Sequence, residues 1–539
     1  MAVTRLGSSN ARPFARGGGI RAAAFQRDLL AKVDPIRAII DRGLIIESPD
    51  IGVEKLPDGR IKLRLKNRIG GPLPAAQGPP APPTPGAGSA GTFVDFYTAT
   101  TGDNYNSGSS EGAAIYSSTN GNWNQSTNTF TPTDGSNPVS AGVAADKFAS
   151  LFLDGPTGLA WYARISSVTN AVNGAIVLVS QSVGSSVATG ATGRTIRVGG
   201  AWAGPSALGI TNVGQLQDSA GNEVRINMKN DAEYVRTATL NLPSFGLGKP
   251  IVVQGYTSTK GDGGRAIWST ATAGVTLLTG NSLNCNWVDL EFKCTASSGT
   301  ADNVSPSAGQ GFFRCVFRGS RGSGIFAAQN TLLHECEAYE CLTGGFTSST
   351  QLICVRCYSH NHNTAAATTS SHGFNLFSGS GHVLVNCIAE NCKGSGIRLV
   401  TNVAAVVKNC DLYNNGVDGI AINIASGNEL VVFIENCNFI KNTGKGINNS
   451  SVSTAFPTGY IFNCGYGSGT MANGGANVLQ RITEVNPITY AADADPWTSR
   501  DTGNFTLSLP DAIGSGRGLF YESGNSKSGT VGTPNIGAA

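Results

Sequence analysis

The stretch 383–397, VLVNCIAENCKGSGI, decides the fold. It reads as an apolar run, Asn-Cys, a second short apolar run, a turn of Asn and Cys, and then Gly followed by Ile. The same phrase recurs as FFRCVFRGSRGSGI (312–325), LLHECEAYECLTGGF (332–346), VVKNCDLYNNGVDGI (406–420) and VFIENCNFIKNTGKGI (432–447). Self-similarity at a period of about 20 to 30 residues marks a solenoid. Helical repeats need long apolar patterns at helical spacing, whereas these units are short β-rich runs broken by glycine. The unit is therefore a coil of strands.

Eight of the twelve cysteines, Cys294, Cys315, Cys336, Cys357, Cys387, Cys410, Cys437 and Cys464, follow at intervals of 21, 21, 21, 30, 23, 27 and 27 residues. If each interval is one coil, equivalent residues stack about 4.8 Å apart in parallel strands and the cysteines form one column. Alternation around them, with apolar Phe313, Phe317, Ala338, Ala389, Leu412 and Phe439 two positions away, predicts that the column points inward. Buried free thiols pack as small hydrophobes. Zinc would need close ligand pairs, and only Cys354 and Cys357 have that spacing. Cys341 and Cys392 fall where other coils carry Asn415 and Asn442, at a turn where an inward polar side chain can satisfy backbone groups.

The 539 residues are only 14% charged and include 71 glycines, which suits a solenoid with many turns. No apolar run is long enough to span a membrane, and the N-terminus has basic residues without the apolar core of a secretory signal. Residues 1–68 carry 14 Lys/Arg against 7 Asp/Glu, a net of +7 in a chain of net +3. Such an arm reads as a docking segment; its few aromatics favour protein partners over nucleic acid. Within it, two short helices are expected over 20–43, the second with Asp34 as N-cap, and then a hairpin, IGVEKL and RIKLRL, around Pro57. Residues 69–91 hold seven prolines and no charge, an extended spacer. A β-rich module, expected as a sandwich with Trp161 and Trp202 as packing residues, covers 92–205. The solenoid is expected over 206–484 in about 11 turns across 225–480, and a C-terminal cap over 485–539.

The runs YARISSVTNAVNGAIVLV, TIRVGGAWAGP and KPIVVQGYTSTKGDGG, the cysteine-bearing turns and the closing NIGAA resemble the right-handed parallel β-helix proteins of bacteriophages and some environmental bacteria. The resemblance covers 150–539. It implies an all-β, right-handed single-stranded parallel β-helix, a pectate-lyase-like solenoid, preceded by a small β-domain and a short α+β docking segment. Phage members of this kind are virion parts such as tailspikes, fibres or capsid spikes, often trimeric and attached through the N-terminus. On that pattern, residues 1–68 would meet other virion proteins, and the solenoid would face a host-surface polysaccharide.

The fold also hosts polysaccharide lyases and hydrolases. Polygalacturonases of this fold use an NTD motif and paired aspartates that this chain lacks; only SHGF at His372 and GIRLV at Arg398 resemble their other motifs. The candidate catalytic carboxyls are Glu335 and Glu337, since a glycosidase needs two carboxyls about 5 to 10 Å apart. Against that, Arg314, Glu335 and Arg356 share one ladder position, where opposite charges would simply stack as a pair ladder. Four of the five histidines lie within 360–382, and the HxH of His360 and His362 is the candidate metal pair, otherwise part of an exposed polar loop. Tyr339, Tyr358, Tyr413 and His360 form the candidate ligand-binding patch, an aromatic face suited to sugars. No cofactor is expected. A polysaccharide depolymerase and a bacterial surface β-helix are the alternative functions.

Overall fold

The computed structural model describes most of residues 94–490, together with strands Ile51–Lys55, Ile61–Leu65, Trp497–Ser499 and Asn504–Leu507. Ile51–Lys55 and Ile61–Leu65 pair antiparallel with Ile51 opposite Leu65, the expected hairpin. The two helices of 20–43, the spacer of 69–91 and the stretch 206–223 lie outside the described residues.

From residue 94 onward the chain winds into three parallel sheets of 12, 11 and 10 strands. Each coil contributes one strand to each sheet. Face one holds the strand before the ladder position, such as Val403–Lys408; face two the strand after it, Asp411–Tyr413; face three the strand after the glycine, Ile420–Asn423. Twelve strands at about 4.8 Å make face one some 53 Å long.

The corner between faces one and two explains the repeated polar residue before each cysteine. Arg314, Glu335, Arg356, Asn386, Asn409, Asn436 and Asn463 all have φ between 49° and 56°, in the left-handed region, so one residue turns the chain. Asparagine is the non-glycine residue that tolerates this best, which is why it fills the later coils. Arg314, Glu335 and Arg356 do stack, as their shared ladder position predicts. The Arg314 guanidinium holds Asp289 through two bonds, at 2.6 and 2.5 Å, and Arg356 holds Glu335 at 3.0 Å. Further up, Asn436 Nδ2 donates to Asn409 Oδ1 at 3.1 Å.

The cysteines that follow these residues are buried, at most 1% exposed, and all twelve are free thiols. They stand in the corner rather than inside a strand. The left-handed residue breaks the alternation, so Phe313, expected inside, faces outward while Phe312 is in the core. Each thiol also reaches the preceding coil: Cys336 Sγ donates to the Phe312 carbonyl at 3.3 Å, Cys357 to Leu333 at 3.5 Å and Cys387 to Cys354 at 3.5 Å. A small hydrophobe with a weak donor fits a corner whose carbonyls point inward. Cys294 is not in this column. Leu290, after Asp289 at φ 53°, occupies its place, and Glu291 pairs with Val316. The interval of 21 residues from Cys294 to Cys315 therefore coincides with the period without measuring a coil.

One continuous core runs up the solenoid. On face three the inward column is Val304, Ile325, Phe346, Phe374, Ile397, Ile420 and Ile447, all fully buried. Burying each such side chain contributes about 1.5–3 kcal/mol. At the N-terminal end the filling is aromatic, with Trp268, Trp287, Phe292, Phe312 and Phe317 ring against ring.

Two expected boundaries change. Strand Val94–Thr98 pairs in parallel with Val224–Lys229, so face one begins at 94 rather than after 206. The β-module is a closed barrel of six strands between Ala114–Asn124 and Arg194–Gly199, inserted into the first coil, instead of a sandwich. Its separate core holds Trp123, Phe130, Leu151 and Ile165. Trp202 is fully buried as a packing residue: it stacks on Phe96 at 5.4 Å and donates from Nε1 to the Asn106 carbonyl at 2.7 Å. At the other end the ladder runs past 484, since Ile488–Thr489 still pairs with Gly465–Tyr466.

Candidate functional site: the outward side of face two

Outward residues of face two form two rows. One contains Glu337, Tyr358 and Ile388; the other contains Arg318, Tyr339, His360, Glu390 and Tyr413, each opposite the next. Parallel in-register pairing places like positions about 4.8 Å apart, close to the stacking distance of rings.

The side chains use that spacing. The His360 ring lies 4.1 Å from Tyr358 at 17° and 5.2 Å from Tyr339 at 15°. Beyond Tyr339 sits the Arg318 guanidinium, 5.4 Å from the ring centre. The stack thus runs Arg318, Tyr339, His360, Tyr358. His360 is held at both nitrogens: Asn361 Nδ2 donates to Nδ1 at 2.9 Å, which leaves the ring proton on Nε2, 2.9 Å from Glu337 Oε1. Asn391 Nδ2 in turn donates to Asn361 Oδ1 at 3.2 Å, fixing that amide. Tyr358 donates its hydroxyl to Glu390 Oε2 at 2.7 Å, and burial together with the Glu390 charge pushes the phenol pKa well up. Burial likewise raises that of Tyr339.

The expected patch is only partly available. Tyr339, Tyr358 and His360 come together and keep some exposure, but Tyr413 is 2% exposed, with the Lys441 ammonium 5.6 Å from its ring centre. Tyr413 is a packing residue. Glu390 belongs to the strip and escapes a reading from spacing, because the 30-residue coil before Cys387 hides its alignment with His360.

Glu335 and Glu337 do not form a pair facing one point. Glu335 sits on the left-handed corner against Arg356, while Glu337 lies on the face against His360. Each carboxylate is already engaged.

His360 and His362 also diverge, because Asn361 between them turns the chain at φ 54°. His362 is fully buried; its Nδ1 accepts the Cys341 amide at 3.2 Å and its Nε2 meets Ser359 Oγ at 2.8 Å. It takes the inward turn position that Cys341, Cys392, Asn415 and Asn442 hold in other coils, and Asn442 Oδ1 there accepts the Asn415 amide at 3.1 Å. His372 Nδ1 accepts the Ser395 amide at 3.0 Å, and His382 Nδ1 the Leu352 amide at 3.3 Å. These three rings are internal acceptors rather than parts of an exposed loop. Among the described residues no group of three His, Cys, Asp or Glu side chains is arranged to hold a metal ion.

Residues 303–462 match the family model described as a right-handed β-helix region. The fold is that of a right-handed parallel β-helix. A comparison with curated proteins found no match. Among solved structures, the chain is similar to the Dettilon tailspike protein (14% identity, 53% of this chain and 56% of that one, TM-score 0.34). It is also similar to the pectate lyase Pel9A (15% identity, 57% and 86%, TM-score 0.36). A third is a PL6 family polysaccharide lyase from Pseudopedobacter saltans (11% identity, 53% and 91%, TM-score 0.27). The match spans little more than half of the tailspike's length.

Proposed function

We propose that this protein is a glycan-binding attachment protein of a phage-type particle, docked through its basic N-terminal segment and binding sugar with the outward side of face two. One observation carries the glycan reading: the stack Arg318, Tyr339, His360, Tyr358, edged by the carboxylates Glu337 and Glu390. Rings offer a flat surface to the C–H face of a sugar, and carboxylates accept from its hydroxyls. The N-terminal charge of 14 basic against 7 acidic residues supports docking on a protein partner. Val431 and Tyr460, 56% and 46% exposed on the outward side of face one, support side-by-side association of copies, with a trimer as the proposed assembly.

The test is binding of neutral and acidic host-surface oligosaccharides to the full chain and to Tyr339→Ala. Weaker binding of the neutral sugar at an unchanged melting temperature supports the reading, and undiminished binding overturns it. Removal of residues 1–68 should abolish incorporation into particles while leaving sugar binding intact. New reducing ends or unsaturated products on incubation with the polysaccharide would make the protein a depolymerase instead.

A further inference from the structure

Face three carries an arginine with no anionic partner among the described residues. Phe374, Leu376, Ile397 and Leu399 are fully buried in the core, so the residues between them, Asn375 and Arg398, project outward; they lie directly opposite each other on neighbouring coils. Arg398 is partly buried, and among the described residues no carboxylate pairs with it. Burial lowers its pKa, with no neighbouring negative charge acting in the other direction. Asp418, two residues before the strand of the next coil, is held elsewhere: it accepts the Lys445 amide at 2.8 Å and Asn448 Nδ2 at 3.0 Å.

Asn375 supplies a second, independent sign. It is 5% exposed, and its Oδ1 is buried with no donor, although neighbouring Thr347 is satisfied by Ser323 at 2.8 Å. An acceptor left this way is penalised by its desolvation, and a ligand donor would relieve that penalty. His372 opens the same strand as Asn375. Its Nδ1 accepts the Ser395 amide, so its ring proton is on Nε2. Burial lowers its pKa to about 4, so the ring is neutral and brings no charge of its own.

We infer that Arg398 and Asn375 bind one acidic sugar unit of a polysaccharide, the guanidinium taking its carboxylate and Asn375 Oδ1 accepting from a neighbouring hydroxyl. A planar guanidinium pairs with a carboxylate through two parallel bonds, and only a ligand holding an anion and a hydroxyl donor together meets both residues. The site lies on a different face from the aromatic strip. It rests on the glycan reading only for the sugar part of the ligand.

The experiment measures binding of a galacturonate trisaccharide, a neutral glucose trisaccharide and inorganic phosphate to the full chain, Arg398→Met, Asn375→Leu and Tyr339→Ala. Melting temperatures control for folding. The expected result is that Arg398→Met weakens the galacturonate trimer by about tenfold or more and leaves the neutral trimer unchanged. Asn375→Leu should weaken the galacturonate trimer without removing its salt dependence. Unaltered galacturonate binding in Arg398→Met overturns the proposal, and so does phosphate competing as well as the trimer, which would leave a plain anion site. If Tyr339→Ala has no effect on either sugar while Arg398→Met does, the strip fails as the binding face and this site stands. Absence of any sugar binding by the unaltered chain overturns both.

Discussion

The Cys341 amide donates to Nδ1 of His362 at 3.2 Å, as the Cys392 amide donates to Oδ1 of Asn415 two coils further along the same inward turn column. An imidazole and a carboxamide therefore do one job, closing a backbone donor inside the solenoid. His362→Asn should keep most of the stability, because the shorter acceptor already serves in later coils. His362→Leu fills the space but leaves the Cys341 amide and the Ser359 hydroxyl short of a partner, a loss of about 1–3 kcal/mol. Thermal melting of the two variants side by side checks this, and equal stability would mean that the ring only packs.

Acid should loosen the fold earlier than its carboxylates alone predict. Burial depresses the pKa of His362 to about 3 and that of His372 to about 4, and lowers that of His382, against 6.5 for a free imidazole. Below pH 6.5 the unfolded chain binds protons that the folded chain refuses. Stability is therefore fully present above that pH and falls as pH drops towards 4, by up to about 1.4 kcal/mol per unit for each histidine. Melting temperatures between pH 8 and pH 4 should decline with this slope, and His362→Asn should flatten it; a flat profile above pH 5 in the parent would contradict the assignment.

The thiols should be silent in the native protein. Burial pushes the pKa of Cys341 up to about 12 and that of Cys354 up to about 11, and no cysteine reaches the surface. A thiol reagent at pH 8 is expected to label none of them until denaturant is added, after which all twelve react. Prompt labelling of the native chain would show that a coil opens locally.

Glu335 should matter for stability and not for sugar. Its left-handed φ of 55° suits asparagine, which holds the same corner at Asn386, Asn409 and Asn436. Glu335→Asn exchanges the Arg356 pair for an easier backbone and should stay within about 1 kcal/mol of the parent. Glu335→Val, β-branched at positive φ, should lose about 2 kcal/mol or more. Neither should alter oligosaccharide affinity, and a drop in affinity for Glu335→Asn would return this residue to the site.

Much of the solenoid was legible because its period is written twice, in the cysteines and in the Gly-apolar step that opens each face-three strand. The inward column, the stacked Arg314, Glu335 and Arg356, and the turn role of Cys341 and Cys392 all follow from aligning coils. Alignment failed where a coil changed length. Leu290 replaces Cys294 in the column after a longer coil, and the 30-residue coil concealed Glu390 beside His360. Strict alternation failed at one repeated place, since a left-handed corner residue resets which side chains face inward.

By itself the sequence determined the coil, its stacking and which residues could share a column, because parallel in-register pairing converts spacing into neighbourhood. The tertiary structure decided the rest. It turned His360 outward and His362 inward across one residue, buried Tyr413, opened face one at residue 94 with a barrel inserted behind it, and left Arg398 facing outward with no carboxylate partner among the described residues. These outcomes depend on single backbone angles and on which side chains meet across coils far apart in the chain, and a repeat pattern records neither.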